Sequence, residues 1–172
     1  MTTAPVVESV PARQLHDAIK ALGVTHILTV PDTHQKSLLA SLVTDPDLEF
    51  VTLSTEDEAI CVNAGLWMGG AQPLLIIQNV GLFASMNALR GVAMDMHVPT
   101  CLLTGQYGRD VTKTVEENKG SAVRLIEGVM ASIDVPTYRI DRPDDVPLLA
   151  KGFEESRERR GPVVVLVGAP TA

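Results

Sequence analysis

The strongest constraint on the fold is a series of short, almost uninterrupted apolar runs that alternate with segments of helical periodicity. The clearest runs are PLLIIQ at 73–78, TCLLTG at 100–105 and PVVVLV at 162–167. A strand that is apolar along its whole length is typical of a parallel sheet covered by helices on both faces. The pattern therefore predicts an α/β fold, a three-layer sandwich with a six-stranded, mainly parallel sheet between two layers of helices.

The remaining elements complete the alternation. Three further strands are predicted, at 26–30, 49–53 and 137–140. Helices are predicted between the strands, at 12–22, 34–43, 57–68, 82–96, 121–133 and 146–159. No repeat or internal linker divides the chain, so we expect a single domain over residues 1–172, with residues 1–10 as a flexible lead-in.

Charge and composition exclude several classes of protein. The 172 residues include 21 acidic and 14 basic side chains, and the net charge of -7 argues against a nucleic-acid surface. No apolar run reaches the roughly 18 residues of a membrane span, and the first residues lack the pattern of a secretory signal. Cys61 and Cys101 lie in apolar stretches without disulfide or zinc spacing. We therefore expect a cytoplasmic protein with two reduced core thiols.

Ligands of parallel α/β sheets bind outside the carboxyl ends of the strands, so the turns after the strands are the places to search. The turn after the first strand reads PDTHQ at 31–35. Asp32 or Thr33 can serve as a helix cap. His34 lies at a strand exit and could bind a ligand or transfer a proton, whereas the other three histidines are predicted to be structural.

The turn after the second strand contains three acidic residues in the sequence STEDE at 54–58. A serine or threonine cap followed by acidic residues suits the start of a helix, and this structural explanation stays open for each of the three. The helix that follows contains Ala59, Ala64 and Gly65, so another surface can approach it closely.

The third and fourth turns offer a glycine and a long loop. Gly81 in QNVGL would let the backbone approach a ligand, although many α/β turns carry such a glycine. Motifs of GxGxxG or GxxxxGK[ST] type are absent from the sequence, so dinucleotide and P-loop sites lack support. Residues 106–118 form a connection longer than the usual two to six residues. Its Arg109 and Lys113 could meet an anionic substrate, and a solvated charge run explains them equally well.

Taken together, these strings resemble a known family over residues 12–167. TEDEAICVNAGLWMGG, PLLIIQNVGL and PTCLLTG resemble the pyrimidine-binding domain of thiamine diphosphate enzymes. VPDT and QNVGL resemble in particular the alpha subunits of sulfopyruvate and phosphonopyruvate decarboxylases. The resemblance implies a carboxy-lyase that uses thiamine diphosphate and Mg²⁺ and acts on a small 2-oxoacid.

The resemblance also implies roles for individual residues. Glu56 matches the glutamate that activates the cofactor, because it has Gly65 nine residues on and Glu58 does not. A carboxyl in that role hydrogen-bonds to the pyrimidine ring and needs a dry, apolar pocket. The residues that would line the cofactor site beside it are Gln78, Asn79 and Gly81.

The substrate side departs from the family pattern. Thr33 and His34 would lie near the reacting carbon. The paired histidines that better-known pyruvate decarboxylases carry in the fourth loop are absent here, which leaves His34 as the candidate for proton transfer. Arg109, Lys113 and His34 are the candidates for binding a sulfonate or phosphonate group.

The diphosphate half of the family's site is missing from the sequence. Family members bind the diphosphate through a metal site of GDG type, and this sequence has no GDG. The resemblance therefore implies a separate beta subunit that holds the diphosphate and Mg²⁺, with the active site at the interface and self-association of the assembly.

Our leading hypothesis is the alpha subunit of a decarboxylase of a 3-substituted pyruvate, with sulfopyruvate preferred and phosphonopyruvate next. A carboligase or another 2-oxoacid lyase would use the same cofactor site. In a third hypothesis the chain is a non-catalytic flavodoxin-like binding or assembly module, in which Glu56 only begins a helix.

Overall fold

The computed structural model describes residues 9–172, and their centre is one sheet of six parallel strands in the order β2-β1-β3-β4-β6-β5. All five strand pairs are parallel, which confirms the predicted α/β fold. The strands are β1 (His26–Thr29), β2 (Glu49–Thr52), β3 (Pro73–Gln78), β4 (Thr100–Gly105), β5 (Thr137–Ile140) and β6 (Pro162–Val167).

The helices occupy the connections between the strands. They are α1 (Ala12–Ala21), α2 (Lys36–Leu42), α3 (Glu56–Met68), α4 (Asn79–Ala84), α5 (Met86–Ala88), α6 (Ser121–Ser132) and α7 (Pro147–Glu158). A π-helical turn (Leu89–Met94) follows α5, and a 3₁₀ turn (Pro143–Asp145) precedes α7.

Side chains of the strands alternate between two apolar layers, one on each face of the sheet. In β3, Leu74 and Ile76 pack into one layer, and Leu75 and Ile77 pack into the other. All four are fully buried, because helices cover both faces. This double coverage explains why the strand sequences are apolar without alternation.

The two layers of helices define where a crevice forms at the sheet edge. Side chains of α1, α2 and α7 pack on one face, and those of α3, α4 and α6 pack on the other. Strands β1 and β3 are neighbours, but the connection after β1 runs to β2 and the connection after β3 runs to β4. Connections that diverge from adjacent strands open a crevice at their carboxyl ends, which is where α/β sheets bind ligands.

The prediction of one helix over 82–96 is wrong in two respects. The helix begins earlier, at Asn79, directly after β3, and it is divided into α4, α5 and the π-helical turn. The Ser85 hydroxyl, at the break between α4 and α5, donates to the carbonyl oxygen of Leu82 at 3.0 Å. A serine that bonds back to its own helix in this way bends the helix.

The two cysteines differ in their surroundings. Cys101 in β4 is buried, and burial raises the pKa of its thiol to about 12. Cys61 is exposed, so the prediction of two core thiols is wrong for this residue. Ala59 and Ile60 face the sheet from α3, and Cys61 lies on the outer side of the same helix.

The start of the predicted lead-in, residues 1–8, lies outside the described residues. Val10 is buried and pairs with Thr171 in an isolated parallel bridge. Over the described part of the chain, no helix is long and apolar enough to cross a membrane.

Candidate active site

The three acidic residues at the start of α3 have different surroundings. The Glu58 carboxylate accepts a hydrogen bond from the Ser54 backbone N–H at 2.9 Å, while the Thr55 hydroxyl accepts one from the Glu58 N–H at 3.4 Å. This reciprocal arrangement is a helix capping interaction. A hydrogen bond with Thr55 lowers the pKa of Asp57 below its ordinary value. Two of the three acids are therefore explained by the helix start.

Glu56 is the third acidic residue, and the start of the helix does not explain its side chain. Its side chain is half-buried, and the hydrogen bonds found within residues 9–172 include none to its carboxyl group. The carboxyl group lies directly against the Cα of Gly81 in α4, where a Cβ would overlap its atoms. Glycine at position 81 thus allows α3 and α4 to bring the Glu56 carboxyl to the end of β3.

Two residues with amide side chains precede Gly81 at the end of β3. Gln78 ends β3, and Asn79 begins α4. The Asn79 Oδ1 accepts a hydrogen bond from the Val80 N–H at 2.9 Å, and its Nδ2 is 3.5 Å from the Tyr107 carbonyl oxygen. The long loop after β4 therefore begins next to Asn79.

Asp32 makes more contacts than the sequence predicted, which was only a possible role as a helix cap. It is 3% exposed. Its Oδ1 accepts hydrogen bonds from the His34 N–H at 2.8 Å and from Gln78 Nε2 at 2.9 Å. Its Oδ2 accepts from Gln35 Nε2 at 2.9 Å and lies against the Cα of Gly105, where a Cβ would overlap it. Asp32 therefore joins the ends of β1, β3 and β4.

The two other substrate-side candidates lie in the same turn. Thr33 is exposed, whereas His34 is 8% exposed and its Nε2 has no hydrogen-bond partner among the described residues. Burial lowers the pKa of His34 below its ordinary value, and the charge of Asp32 opposes part of that shift. The shift disfavours the charged imidazolium, and the ring lies against the backbone of residues 167–169 at the end of β6.

The loop at 106–118 holds its two basic side chains in its own network. Arg109 Nη1 donates to the Lys113 carbonyl oxygen at 3.1 Å, and its Nη2 is 4.0 Å from the Asp141 carboxylate at the end of β5. The Lys113 ammonium lies 2.7 Å from Asp110. That ion pair lowers the pKa of Asp110 to about 2 and raises the pKa of Lys113. Both basic groups are thus paired with carboxylates, and no hydrogen bond or ion pair among the described residues joins either of them to Glu56.

Gln106 at the start of this loop was also missed by the sequence analysis. Its side chain is fully buried, and neither atom of its amide has a hydrogen-bond partner among the described residues. A glutamine directly after a buried apolar run is a signal for such residues: Gln78 follows residues 73–77, and Gln106 follows residues 100–105.

The edge between β1 and β3 therefore combines oriented amides with a carboxyl group that has no hydrogen bond among residues 9–172, and the His34 ring lies farther along the same edge, at the ends of β4 and β6. This set can bind a polar heterocycle and exchange a proton with it. The residues the sequence grouped as cofactor-binding, Glu56, Gln78, Asn79 and Gly81, come together around the end of β3. The His34 backbone joins them through Asp32 and the exposed Thr33 lies in the same turn, whereas Arg109 and Lys113 do not join them.

Comparison with known protein families identifies a match. Residues 11–125, more than half of the chain, match the family described as thiamine pyrophosphate enzyme, N-terminal TPP binding domain.

Similar proteins of known name agree with one another. The sulfopyruvate decarboxylase subunit alpha of Methanococcus maripaludis is 26% identical over 156 residues, which are 90% of this chain and 92% of that one. The subunit of the same name from Methanocaldococcus jannaschii is 26% identical over 137 residues, 80% of each chain. Phosphonopyruvate decarboxylase of Streptomyces viridochromogenes is 33% identical over 98 residues, which cover 57% of this chain but 25% of that protein.

A solved structure shares the fold. Benzoylformate decarboxylase from Polynucleobacter necessarius superimposes with a TM-score of 0.74 and 20% sequence identity. The superposition covers 93% of this chain and 30% of that larger chain. At this identity the likeness concerns the fold.

Proposed function

The chain belongs to the thiamine pyrophosphate enzyme family, and on that premise we propose that it is the alpha subunit of a thiamine diphosphate-dependent 2-oxoacid decarboxylase. The proposed substrate is a small pyruvate with an anionic group on carbon 3, sulfopyruvate before phosphonopyruvate. The resemblance inferred from the sequence motifs is confirmed at the level of the family.

The observation that carries the proposal is the position of Glu56. Its neighbours Asp57 and Glu58 serve the start of α3, but the Glu56 carboxyl lies on Gly81 beside the end of β3. A carboxyl group that is half-buried, free of capping bonds and located at the crevice of the sheet is suited to a ligand rather than to the helix.

The residues around Glu56 fit the aminopyrimidine half of thiamine diphosphate. Glu56 would hold a proton shared with a ring nitrogen, and Gln78, Asn79 and Gly81 would line the same ring. The bound cofactor supplies an acidic carbon that adds to the ketone and a ring that accepts the electrons released as carbon dioxide leaves. His34 would hold or move a proton on the substrate side, and the lack of a hydrogen-bond partner for its buried Nε2 among the described residues supports this role.

A beta subunit would complete this site with the diphosphate and Mg²⁺. The two archaeal relatives are named as alpha subunits, and this chain spans 92% and 80% of their lengths. The outer side of α3 also supports a partner. Cys61, Gly65 and Met68 lie on one exposed stripe of the helix, and no atom lies within 4 Å of the position of a Cβ on Gly65. A second protein could therefore pack closely against this helix.

The anionic substituent of the substrate would meet the basic side chains of the 106–118 loop. Arg109 and Lys113 now pair with Asp141 and Asp110, so substrate binding would exchange one of these carboxylates for the sulfonate or phosphonate. Names of the relatives favour these two substituents over an uncharged one.

The test is reconstitution with a partner chain that contains a GDG motif. The two purified chains, thiamine diphosphate and Mg²⁺ should release carbon dioxide from sulfopyruvate. Glu56→Gln should lower kcat by about 10²-fold or more, because the amide cannot hold the transferable proton.

Glu58→Gln is the matched control, since it makes the same change two residues along the same helix turn. Its effect on kcat should be small, with a loss of helix stability of about 1 kcal/mol at most. Equal losses in the two variants would contradict the assignment of Glu56. Full turnover by this chain without a partner would contradict the shared active site.

A further inference from the structure

Asp32 is a buried acidic group without a cationic partner. It is 3% exposed, and the ion pairs found within residues 9–172 do not include it. A buried carboxylate is costly unless donors surround it, and here three N–H groups do so. The bond from the His34 backbone closes a local turn, and α2 begins after it, with Gln35 at its N-cap, so Asp32 does not cap the helix. The bonds from the Gln35 and Gln78 side chains therefore call for another explanation.

The bond from Gln78 fixes which way its amide faces. An ionised carboxylate accepts hydrogen bonds and cannot donate them, so only the Nε2 of Gln78 can face Asp32. The distance between Nε2 and the Asp32 Oδ1 is 2.9 Å. Because the oxygen and nitrogen of an amide diverge from its carbon by about 120°, the Gln78 Oε1 is directed away from the contact with Asp32.

We propose that Asp32 is a positioning residue that sets the hydrogen-bond polarity of Gln78, so that the end of β3 offers a carbonyl oxygen to its ligand. The ligand group at this point is then an N–H or O–H donor and not a carboxylate or sulfonate. The inference rests on the proposed function, in which Gln78 lines the cofactor site. The amino group of an aminopyrimidine is a donor of the required kind.

The Gly105 position supports a dedicated place for Asp32. The Asp32 Oδ2 lies against the Cα of Gly105, where any side chain would displace it. Gln35, which holds the same oxygen, is fully buried and also donates to the Leu103 carbonyl oxygen at 3.2 Å. The carboxylate is thus held from two sides, and its Oδ1 remains directed at Gln78.

The first experiment reverses the polarity of the contact in two steps. Asp32→Asn introduces a donor, which allows the Gln78 amide to turn and present its nitrogen to the site. Thiamine diphosphate affinity of the complex with the beta subunit should fall about tenfold, as for a buried hydrogen bond that is lost. Adding Gln78→Glu to Asp32→Asn places an acceptor opposite the new amide and again presents an oxygen to the ligand. The double variant should recover to within about threefold of wild type.

A second readout uses the full chain alone, without cofactor or partner. In ¹H–¹⁵N spectra the side-chain amide protons of Gln78 and Gln35 should exchange slowly with water in the wild type. The Gln78 signals are assigned by their loss in Gln78→Glu. They should shift and exchange faster in Asp32→Asn but not in Asp134→Asn, which makes the same change at an exposed position.

The outcomes separate this inference from the proposed function. Without carbon dioxide release by the wild-type complex the proposed function fails, while the amide spectra still test the contact. With an active wild type, unchanged cofactor affinity in Asp32→Asn, or a double variant no better than the single one, overturns the inference. If Asp32→Asn does not fold, Gln78→Glu is compared with Gln78→Met. Two facing carboxylates should weaken cofactor binding more, and equal affinities overturn the inference.

Discussion

At the edge of the sheet formed by the C-terminal ends of the strands, three acidic side chains of the described residues lie in direct contact with glycines. Glu56 lies on Gly81, Asp32 lies on Gly105, and Asp141 lies on Gly168. In each case a Cβ on the glycine would overlap the carboxyl group. The glycines therefore make room for the carboxyl groups, because backbone without a side chain lets an acidic group approach the end of a strand.

Gly81→Ala tests whether the contact with Gly81 positions the proposed catalytic acid, Glu56. The added methyl group should push the Glu56 carboxyl off the end of β3 and lower kcat of the reconstituted complex about tenfold or more, since small misplacements at an active site are costly. Gly91→Ala is the control, because no atom lies within 4 Å of its Cβ position. Equal activities of the two variants would show that the contact with Gly81 does not position Glu56.

His34 predicts a dependence of stability on pH. Its pKa is lowered in the folded chain, so the unfolded chain binds the proton more readily. The free energy of unfolding should therefore decrease as the pH falls below about 6.5, the ordinary value for histidine. Urea unfolding between pH 7.5 and 5.5 should show a steeper loss for the wild type than for His34→Gln. Parallel curves for the two proteins would contradict this prediction.

The site was only partly predictable at the level of residues. Glu56, Gln78 and Gly81 belong to local motifs that resemble a known family, and it is this resemblance that singled them out. Asp32 was expected only as a possible cap, because capping requires the same local sequence as the wider role. Its contact with Gln78 spans 46 positions and depends on β1 lying beside β3 in the sheet.

Among the elements, strands were predicted better than helix ends. The runs at 73–78, 100–105 and 162–167 coincide with β3, β4 and β6, since a strand buried on both faces can contain little else than apolar side chains. The start of α4 at Asn79 was missed. A turn rich in small and polar residues gives the same signal as a helix start that lacks acidic residues.

Within residues 9–172, five helical segments are followed by a residue in the left-handed region before the next strand begins. After α3, Gly70 has a φ of 88°, and the Ala71 N–H bonds to the Leu66 carbonyl oxygen at 3.0 Å. The same closing bond follows the π-helical turn, α6 and α7. There the left-handed residues are not glycines: they are His97 (φ 55°), Asp134 (φ 58°) and Arg160 (φ 50°).

His97→Gly should therefore stabilise the fold. A side chain in the left-handed region costs about 1 kcal/mol that glycine avoids, so the free energy of unfolding should rise by up to that amount. Chemical denaturation measures the change. Gly70→Ala is the reciprocal control and should destabilise the chain, since its φ is also in the left-handed region. A loss of stability in His97→Gly would mean that its imidazole makes a contact worth more than the backbone strain.

At the scale of the whole molecule, the sheet divides the surface into two different sides. On the side of α3, exposed apolar residues include Met68 at 64% and Val80 at 51%. The exposed stripe of Cys61, Gly65 and Met68 lies on the same side. On the side of α2, Val43 is 54% exposed beside an edge strand. Glu56 begins the same helix that carries the stripe, so a partner on α3 would also reach the site.

Gly65→Arg should block assembly without unfolding the chain. The long charged side chain prevents close packing on α3, while arginine itself is a better helix former than glycine. We expect an unchanged circular dichroism spectrum and a melting temperature at or above that of the wild type. The complex with the GDG-containing partner should be lost in size-exclusion chromatography with light scattering. Val43→Arg places the same charge on the opposite side of the sheet and should leave the complex intact. Assembly of Gly65→Arg at wild-type affinity would exclude this face of α3 from the interface, and loss of assembly in both variants would point to a general effect of charge.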